Sequence, residues 1–554
     1  MMAEQDSQPA AWDSTDPSLL VVAPPGCGKT EFLALRAGAL IPRLRPNQRI
    51  LALTFTNRAK ANLSERLRGQ LGHERFRRHV TVRNFHGHAA EIVLAHGRTL
   101  GLNPASLALP TTKTLRLALG AFGSDRAAND ATADRLADIK REPLSDDEVM
   151  TALAGPGDEL ALRIERERIA ASQLHYEDLL RHAQRLLRVE EIANLYHQHY
   201  GAIIVDEFQD LSLQQLDIVM RSCITWRTFA GDPLQGIYSW AGAAPQEVEA
   251  SLRKECGPPL QLTVSYRSSP AVLAMVNEVS ARMGAVPLLA HDPGSWPGGG
   301  ASAAIDFASV QEEAQFIAHT AQQITEANPA ASVGIIARSG WRRAAIDKAF
   351  VALPAVPCRR WDLAIEDPAI LEHVRTAVAG MPRAISLERA RYQVIAAIDP
   401  SDVDTIEQVN DAFDQLAAAA PDNLRAALAQ FHVRSDNRAV GPGVHLLNAH
   451  TGKGQQFDWV FVPGLEEKHI PDRRSATGAP LAEEERVLLV MLSRARHGVV
   501  VTKANTLDGP YGGYASTPSR WWPGLASSAT MDTAALIAHL VAVSQPRAAR
   551  SGSR

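Results

Sequence analysis

Short apolar segments recur along the chain, and each is followed by a polar loop and then by a helical pattern. Apolar runs without polar alternation predict strands that are buried on both faces, as in a parallel sheet covered by helices. The first series of such segments comprises residues 19–24, 49–55, 202–207, 227–232 and 260–266. The second series comprises residues 333–339, 444–449, 458–463 and 498–503. Two separate series predict an α/β fold with two domains.

Two mainly helical segments interrupt these series, which indicates a helical insertion in each α/β domain. We predict that the first domain comprises residues 1–94 and 196–265, with its insertion at 95–195. The second domain is predicted to comprise residues 266–340 and 436–505, with its insertion at 341–435. Residues 506–554 are left as a C-terminal tail to which the sequence assigns no role.

The composition is typical of a soluble globular protein, with 45% hydrophobic and 21% charged residues in a chain of 554. The net charge is −4, so nucleic acid would have to bind at local basic patches. Four cysteines without a CxxC pair argue against a zinc site or a disulfide framework. The polar N-terminus lacks the pattern of a signal peptide, and no apolar stretch is long enough to cross a bilayer. We therefore expect a cytoplasmic protein without a membrane partner.

Residues 23–30 read APPGCGKT, which matches the phosphate-binding P-loop pattern with alanine at its first position. The segment follows a predicted strand and opens a helix, so its backbone N–H groups are expected to bind phosphate oxygens. Lys29 is expected to reach the β- and γ-phosphates of ATP, and the Thr30 hydroxyl to bind Mg²⁺. The predicted phosphate-binding residues are Ala23, Pro24, Pro25, Gly26, Cys27, Gly28, Lys29 and Thr30.

Residues 203–210 read IIVDEFQD and bring three carboxylates together at the end of a predicted strand. Neighbouring ionised carboxylates repel one another, so such a cluster requires a positive partner or contains an acid that acts as a base. We predict that Asp206 binds Mg²⁺ opposite Thr30. Glu207 is then available to orient and deprotonate the attacking water.

Eight segments in order resemble the helicase motifs of the UvrD/Rep/PcrA group of superfamily 1A. They are APPGCGKT, LALTFTNRAKANLSERL (51–67), VRNFHGHA (82–89), IIVDEFQD, FAGDPLQGIYSWAGA (229–243), LTVSYRSS (262–269), LNAHTGKGQQFDWVFVPGLEE (447–467) and EEERVLLVMLSRA (483–495). The resemblance spans residues 8–505. It implies two RecA-like P-loop NTPase domains, each with a helical insertion. It also implies an ATP-dependent helicase that translocates 3′ to 5′ on single-stranded or tailed duplex DNA.

The resemblance implies further nucleotide contacts at Gln8, Gln235, Tyr266, Arg267, Gly454 and Arg494. Gln8 matches a glutamine that recognises adenine, although a glutamine near a terminus is equally often ordinary polar surface. Tyr266 would stack on the adenine, and Arg267 would reach the γ-phosphate from the second domain. Gln235 resembles the γ-phosphate sensor and Arg494 the arginine finger, a role that suits the permanently charged guanidinium fork.

The same resemblance implies contacts to DNA at Phe55, Thr56, Asn57, Phe85, His86, Trp240 and His450. The aromatic rings would hold bases, and the polar side chains would bond to backbone phosphates. Core packing is the alternative for each ring, and it is the better interpretation of Phe55 taken singly. Trp240 is the stronger candidate, because it closely follows the segment that contains Gln235.

The chain also departs from the group that it resembles. The interval that contains residues 341–435 is too short for the large helical subdomain of that group, so the second insertion is reduced. Ala241 stands where an arginine is usual. The chain is also similar to the helicase subunit of the two-gene Gabija anti-phage system. The alternative function is therefore a regulatory DNA-stimulated ATPase of a defence or repair complex, with weak unwinding alone and a nuclease or repair factor as partner. An RNA-directed motor is a third hypothesis.

Overall fold

A computed structural model of the chain describes residues 11–103, 107, 115, 118–119, 126–155, 158–239, 242–353, 356, 358–361, 368–382, 385–398, 403–419, 424–429, 440–509 and 512–544. The strands in these residues are β1 (Ser18–Val22), β2 (Arg49–Thr54), β3 (Val80–Asn84), β4 (Tyr200–Asp206), β5 (Trp226–Gly231), β6 (Leu260–Gln261), β7 (Val264–Ser265), β8 (Leu289–Ala290), β9 (Ala301–Ser309), β10 (Ser332–Ala337), β11 (Cys358–Arg360), β12 (Gly443–Asn448), β13 (Phe457–Val462), β14 (Ala495–Gly509) and β15 (Gly512–Ala515).

The α-helices connect these strands or form the insertions between them. They are Lys29–Leu40, Asn57–Leu71, His73–His79, Phe85–His96, Arg126–Lys140, Asp146–Ala154, Glu159–Ala170, Tyr176–Leu186, Glu190–His199, Leu213–Ser222, Pro245–Cys256, Pro270–Arg282, Val310–Ala327, Gly340–Val351, Pro368–Ala379, Leu387–Ala396, Val403–Ala419, Leu424–Ala429, Ala449–Gly452, Gly478–Leu492, Trp522–Ser528 and Thr533–Ser544. Among the described residues, no helix combines the length and the apolar character needed to cross a membrane.

The first lobe is built on a six-stranded parallel sheet in the order β3-β2-β4-β5-β1-β6. All seven residues of β4 are buried, as expected for a central strand that is covered on both faces. Because the strands are parallel, the loops after β1, β2, β4 and β5 meet at one edge of the sheet. That edge carries the phosphate-binding segment and the acidic strand end.

The second lobe is built on a sheet in the order β11-β12-β10-β13-β14-β15, and β9 pairs with the other side of β14. The parallel pairs β10–β12, β10–β13 and β13–β14 again bring the carboxyl ends of the strands to one edge. These two parallel sheets with covering helices confirm the predicted fold class. The segment predicted as one strand at 260–266 instead forms two short strands, β6 and β7, in different sheets.

The structure corrects two of the predicted boundaries in the second lobe. The helix Gly340–Val351 packs against the second sheet and β11 pairs with β12, so these two elements belong to the second lobe and not to the insertion. The described insertion helices lie between β11 and β12 and have their own apolar core. Residues 506–544 are more than a tail: β14 continues to Gly509, β15 pairs with it, and Leu536 is buried against β9.

The first insertion lies between β3 and β4 and is held by a buried ionic network. Lys140 Nζ lies 2.8 Å from a Glu165 oxygen and 3.0 Å from an Asp178 oxygen, and all three side chains are fully buried. Arg181 Nη2 donates to Asp178 at 2.7 Å. The insertion contacts the first lobe through Gln214, whose Nε2 donates to the Lys140 carbonyl at 3.1 Å. Helix Leu213–Ser222, which carries Gln214, directly follows the acidic strand end.

Candidate nucleotide and nucleic-acid site

A cavity of about 900 Å³ lies between the two lobes at the carboxyl edge of the first sheet. Its walls include every predicted nucleotide-binding and catalytic residue that the structure describes. They are residues 23–30, Asp206, Glu207, Gln235, Tyr266, Arg267, Gly454 and Arg494. Gln8 lies outside the described residues. The volume is in the range of cavities that hold ligands of nucleotide size.

The phosphate-binding segment depends on two glycines with left-handed backbone conformations. Gly26 has a φ of 80° and Gly28 a φ of 82°, a region that residues with a Cβ atom rarely adopt. A Cβ atom on Gly26 would also lie 2.6 Å from the Cβ of Arg267, too close for any side chain. Gly28 caps the helix Lys29–Leu40, so the loop ends at a helix N-terminus, where backbone N–H groups are free to bind anions.

Lys29 supplies the positive partner that two of the clustered carboxylates require. Its Nζ lies 2.9 Å from Asp206 Oδ1 and also pairs with Glu207. Burial alone would raise the pKa of Glu207, but the charges of Lys29 and Lys453 hold it at about 2, so this carboxylate is ionised at neutral pH. Burial raises the pKa of Asp206, although Lys29 acts in the opposite direction.

The backbone at Glu207 is held in an uncommon conformation. Its φ of 61° is left-handed, which is rare for a residue other than glycine and is often found at functional sites. Gln209 Nε2 donates to Glu207 Oε2 at 2.7 Å and fixes the carboxylate. Strand β4 therefore ends in a turn that aims the Glu207 side chain into the cavity.

The second lobe contributes two buried guanidinium groups. Arg494 is 3% exposed, and its Nη2 donates to Gln235 Oε1 of the first lobe at 2.8 Å. Arg267 is anchored to the second lobe because the hydroxyl of the next residue, Ser268, donates to the Ala495 carbonyl at 2.7 Å. Burial lowers the pKa of Arg267 to about 9 and that of Arg494 to about 10, so both are charged at neutral pH.

The arrangement fits a ligand with several anionic oxygens. Arg267 Nη1 is buried and has no hydrogen-bond partner among the described residues. A buried guanidinium donor without an acceptor is costly, and a phosphate oxygen in the cavity would satisfy it. The Arg267 guanidinium and the glycine-rich loop therefore face the same space with matching chemistry.

Sequence reasoning did not single out Lys453, which completes the charge pairing at the acidic strand end. Its Nζ lies 2.5 and 2.7 Å from the two Asp210 oxygens and 2.6 Å from the Gln235 carbonyl. Burial raises the pKa of Asp210 to about 6, against the attraction of Lys453. The only signal in the sequence was a lysine within a recognised motif, because the motif does not reveal which acid the lysine meets.

The predicted DNA-binding residues fall into two groups, and the first lies near the boundary of the lobes. Phe55 stacks on Tyr238, with ring centroids 5.3 Å apart and an angle of 17°. The Tyr238 hydroxyl donates to the His450 carbonyl at 3.3 Å. Thr56 is exposed, and its hydroxyl accepts from the Ala59 N–H as a helix cap. Asn57 begins the next helix, and Trp240 lies outside the described residues.

The second group corrects one prediction. Phe85 is 2% exposed and packs among buried residues of the first lobe, so the structure does not present its ring to a base. Its neighbour His86 is half-buried and meets the Tyr176 ring edge-on, with centroids 4.5 Å apart. The alternative of core packing therefore describes Phe85, whereas Phe55, for which the sequence favours core packing, is partly exposed.

Comparison with protein families places this arrangement in a known group. Residues 4–254 match the UvrD/REP helicase N-terminal domain, and residues 400–506 match the UvrD-like helicase C-terminal domain. The two matches together cover more than half of the chain. The chain belongs to the UvrD/REP helicase family. Its two parallel-sheet lobes are the RecA-like domains of that family, as the motif resemblance implied.

Curated relatives match nearly the whole chain. ATP-dependent DNA helicase UvrD2 of Mycobacterium tuberculosis is 27% identical over 92% of this chain and 80% of the relative. A probable DNA helicase II homolog of Rickettsia conorii is 23% identical over 94% of this chain and 96% of the relative. ATP-dependent DNA helicase UvrD1 of M. tuberculosis is 23% identical over 88% of this chain and 80% of the relative. Membership of this family implies that the chain uses ATP and binds DNA.

Proposed function

We propose that this chain is an ATP-dependent DNA helicase that translocates 3′ to 5′ along single-stranded DNA. One observation carries the proposal: Lys29 and Glu207 of the first lobe share a cavity with Arg267 and Arg494 of the second. A nucleotide in that cavity contacts both lobes at once. The names of the relatives, ATP-dependent DNA helicases, support the same activity. The direction of movement comes from the family resemblance.

In the proposed reaction, the backbone of residues 23–30 and Lys29 bind the phosphates of ATP. Lys29 moves from the carboxylates to the phosphate oxygens, which frees Glu207 to hold and deprotonate the attacking water. Lys29 lowers the pKa of Glu207 while the two are paired, so the departure of Lys29 raises that pKa and makes the ionised carboxylate a stronger base. Tyr266, 58% exposed at the cavity, stacks on the adenine, and Gln8 bonds to the adenine edge.

Mg²⁺ fits beside the phosphates, with the Thr30 hydroxyl and the Asp206 carboxylate as its ligands. Both supply the hard oxygen atoms that this ion prefers. The raised pKa of Asp206 supports the assignment, because a buried carboxylate gains from a nearby cation. When bound, Mg²⁺ neutralises charge on the phosphate oxygens during cleavage.

The two arginines convert cleavage into movement. Arg267 and Arg494 bond to the γ-phosphate with Gln235 and Gly454 beside them, so the intact triphosphate draws the lobes together. Cleavage and release remove that bridge and allow the lobes to separate. Because Arg494 contacts Gln235 three residues before Tyr238, a change at the phosphate is transmitted to the ring that stacks on Phe55.

The DNA strand is proposed to cross the carboxyl edges of both sheets. Phe55 and Trp240 stack on bases, a contact that tolerates any sequence and is worth about 1–3 kcal/mol per base. Thr56, Asn57, His86 and His450 contact the backbone of the strand. Phe85 is excluded from this set because its ring is buried in the core.

The decisive experiment is strand displacement from a duplex with a 3′ single-stranded tail. Displacement should require ATP, Mg²⁺ and Lys29, and a 5′-tailed duplex should stay intact. The Lys29→Ala variant should bind the tail but displace nothing. Equal displacement by the wild type and Lys29→Ala would overturn the proposal that the chain is an ATP-dependent helicase. Equal displacement of the 3′-tailed and 5′-tailed duplexes would overturn the proposed direction of movement.

A second candidate function is a regulatory ATPase that works with a protein partner, either a nuclease or a repair factor. The observation in its favour is the small second insertion, whose described helices lie within residues 368–429. In this case, DNA stimulates ATP hydrolysis, but the isolated chain unwinds feebly until the product of the neighbouring gene is added. Strong unwinding by the isolated chain would argue against it. Comparing stimulation by DNA and RNA oligonucleotides tests the RNA-directed alternative.

A further inference from the structure

An exposed tryptophan lies on the second lobe, outside every site described above. Trp341 is 54% exposed and stands in the first turn of the helix Gly340–Val351, just after β10. Its indole ring stacks on the imidazole of His469, with ring centroids 5.1 Å apart and an angle of 14°. An exposed aromatic ring that is already held in a stack offers a flat face to a second ring.

The two rings are held in place by a buried ionic group beneath them. Arg342 follows Trp341, and its Nη2 and Nε donate to the two carboxylate oxygens of Glu466 at 2.9 and 3.2 Å. Glu466 lies three residues before His469, and its carbonyl accepts from the His469 N–H at 3.1 Å. Arg342 is 2% exposed and Glu466 fully buried. The Arg342 guanidinium thus fixes both chain segments that carry the stacked rings, and the Trp341–His469 pair is rigid before any ligand binds.

The Trp341–His469 pair lies at the same sheet edge as His450. Trp341 follows the carboxyl end of β10, His450 follows that of β12, and these two strands pair in parallel from Ser332 to Ala337. Arg338 lies three residues before Trp341, and its Nε and Nη2 donate to Glu484 at 3.0 and 2.6 Å. Glu484 also accepts from the Asp472 N–H at 3.1 Å, close to His469.

The surroundings of the rings favour a nucleic-acid strand over a protein. The charged groups that act on His469 are the buried pair of Glu466 and Arg342, together with Asp472 and the exposed Lys468 on its own segment. Arg473 and Arg474, four and five residues beyond His469, are also exposed. Burial lowers the pKa of His469, so its imidazole is a neutral, flat surface at neutral pH. A flat aromatic surface beside basic side chains is the combination that binds single-stranded nucleic acid without sequence preference.

We propose that Trp341, stacked on His469, is a base-stacking platform that holds an unpaired base of the strand on the second lobe. It lies at the same sheet edge as His450, because β10 and β12 pair in parallel. This inference rests on the proposed function, since it adds a contact to the strand on which the motor moves. A stacking contact on the second lobe gives that lobe its own grip, which stepping by alternate lobes requires.

The test measures equilibrium binding of a fluorescent single-stranded oligothymidylate, without nucleotide, over a series of salt concentrations. Trp341→Ala should weaken binding by about 5-fold to 150-fold, the loss expected for one stacked base. The slope of log affinity against log salt should stay unchanged, because a ring releases no counterions from phosphates. Trp341→Phe should bind nearly as well as the wild type, and His469→Ala should lose part of the affinity.

The matched control is Tyr392→Ala, which removes an aromatic ring that is 75% exposed on the second insertion and should leave binding unchanged. ATP hydrolysis without DNA and the unfolding temperature should match the wild type in all variants. If Trp341→Ala binds the oligonucleotide as tightly as the wild type, the platform is overturned but the proposed function is not. The same holds if the loss of affinity appears only as a reduced salt slope. Absence of oligonucleotide binding by the wild type would overturn the proposed function itself.

Discussion

The ammonium group of Lys453 in the second lobe lies 2.5 and 2.7 Å from the two carboxylate oxygens of Asp210 in the first lobe. Lys29 pairs with Asp206 and Glu207, so each of the three clustered carboxylates has a cationic partner. One of those partners comes from the other lobe, 243 residues away in sequence. The acidic strand end therefore contributes to the contact between the lobes as well as to the phosphate site.

Lys453→Met should destabilise the protein because it leaves Asp210 buried without its cation. Removing one member of a buried ion pair costs about 3–5 kcal/mol of unfolding free energy. Burial already raises the pKa of Asp210 from 3.8 to about 6 with Lys453 present, and the substitution raises it further. The folded state then binds the proton more tightly than the unfolded state, so stability falls as pH rises through this window. The loss, measured by urea unfolding, should be larger at about pH 8 than at about pH 5.

The control for this pair is the double variant Lys453→Met/Asp210→Asn, which removes both charges. It should recover much of the lost stability and show little difference between the two pH values. If Lys453→Met is destabilised equally at both pH values, titration of Asp210 does not cause the predicted pH dependence of stability.

Glu207→Gln should separate ATP binding from ATP cleavage. The amide keeps the size of the side chain but cannot accept the proton of water, so kcat should fall by about 10²–10⁴-fold. Binding of a fluorescent ATP analogue should persist. Glu167→Gln is the matched control, because Glu167 forms an exposed ion pair with Arg163 on the first insertion at 3.5 Å, away from the cavity, and such pairs contribute little. Normal turnover by Glu207→Gln would remove Glu207 as the base.

Arg494→Lys should reduce ATP hydrolysis although it keeps the positive charge. The Arg494 guanidinium uses Nη2 for Gln235 and Nε for the Val490 carbonyl at 2.9 Å, a fork that lysine does not have. An arginine finger contributes about 10³–10⁵-fold to kcat, so a loss of about 10³-fold or more is expected. Arg253→Lys, at a half-exposed ion pair with Glu249, should hydrolyse ATP like the wild type. Similar rates for both variants would argue against a role for the guanidinium at the γ-phosphate.

Phe55 and Phe85 form a matched pair of the same residue type in different environments. Phe85→Ala should lower the free energy of unfolding by about 3–5 kcal/mol, because it empties a packed core position. Its affinity for single-stranded DNA should change little. Phe55→Ala should do the reverse, weakening DNA binding with a small effect on stability. Unfolding and oligonucleotide binding measured on both variants check the assignment, and the opposite pattern would contradict it.

The first sheet could be predicted in large part because its signals are local. The apolar runs at β1, β2, β4 and β5 are dense, and the residues after them carry recognisable motifs. Strand β9 was missed because its sequence, ASAAIDFAS, is mostly small residues and has few large apolar side chains. It is nevertheless stabilised by pairing with β14, a long-range contact that a local pattern does not contain. The same pairing brings the C-terminal helices into the second lobe.

The candidate site likewise contains residues that could be predicted from the sequence and residues that only the structure revealed. Some residues of the site are close in sequence to the strands that carry them: the glycines, Lys29 and the acidic strand end. Because the carboxyl ends of parallel strands lie at one edge of a sheet, the sequence predicts that these residues lie close together. Lys453 and the Trp341–His469 pair were not predicted, since each depends on which residues two distant loops bring together. Phe85 lies in a motif and an aromatic ring suits a base, but packing places it in the core.

By itself, the sequence determined the family, the two-lobed α/β fold and the chemical types present at the phosphate site. Dense hydrophobic runs and glycines in a phosphate-binding pattern constrain the local structure, so these features can be predicted from the sequence alone. The tertiary structure decided which charges neutralise one another across the lobes, which aromatic rings face solvent and where the domain boundaries lie. Those outcomes depend on burial and on contacts between segments hundreds of residues apart, which the order of residues alone does not specify.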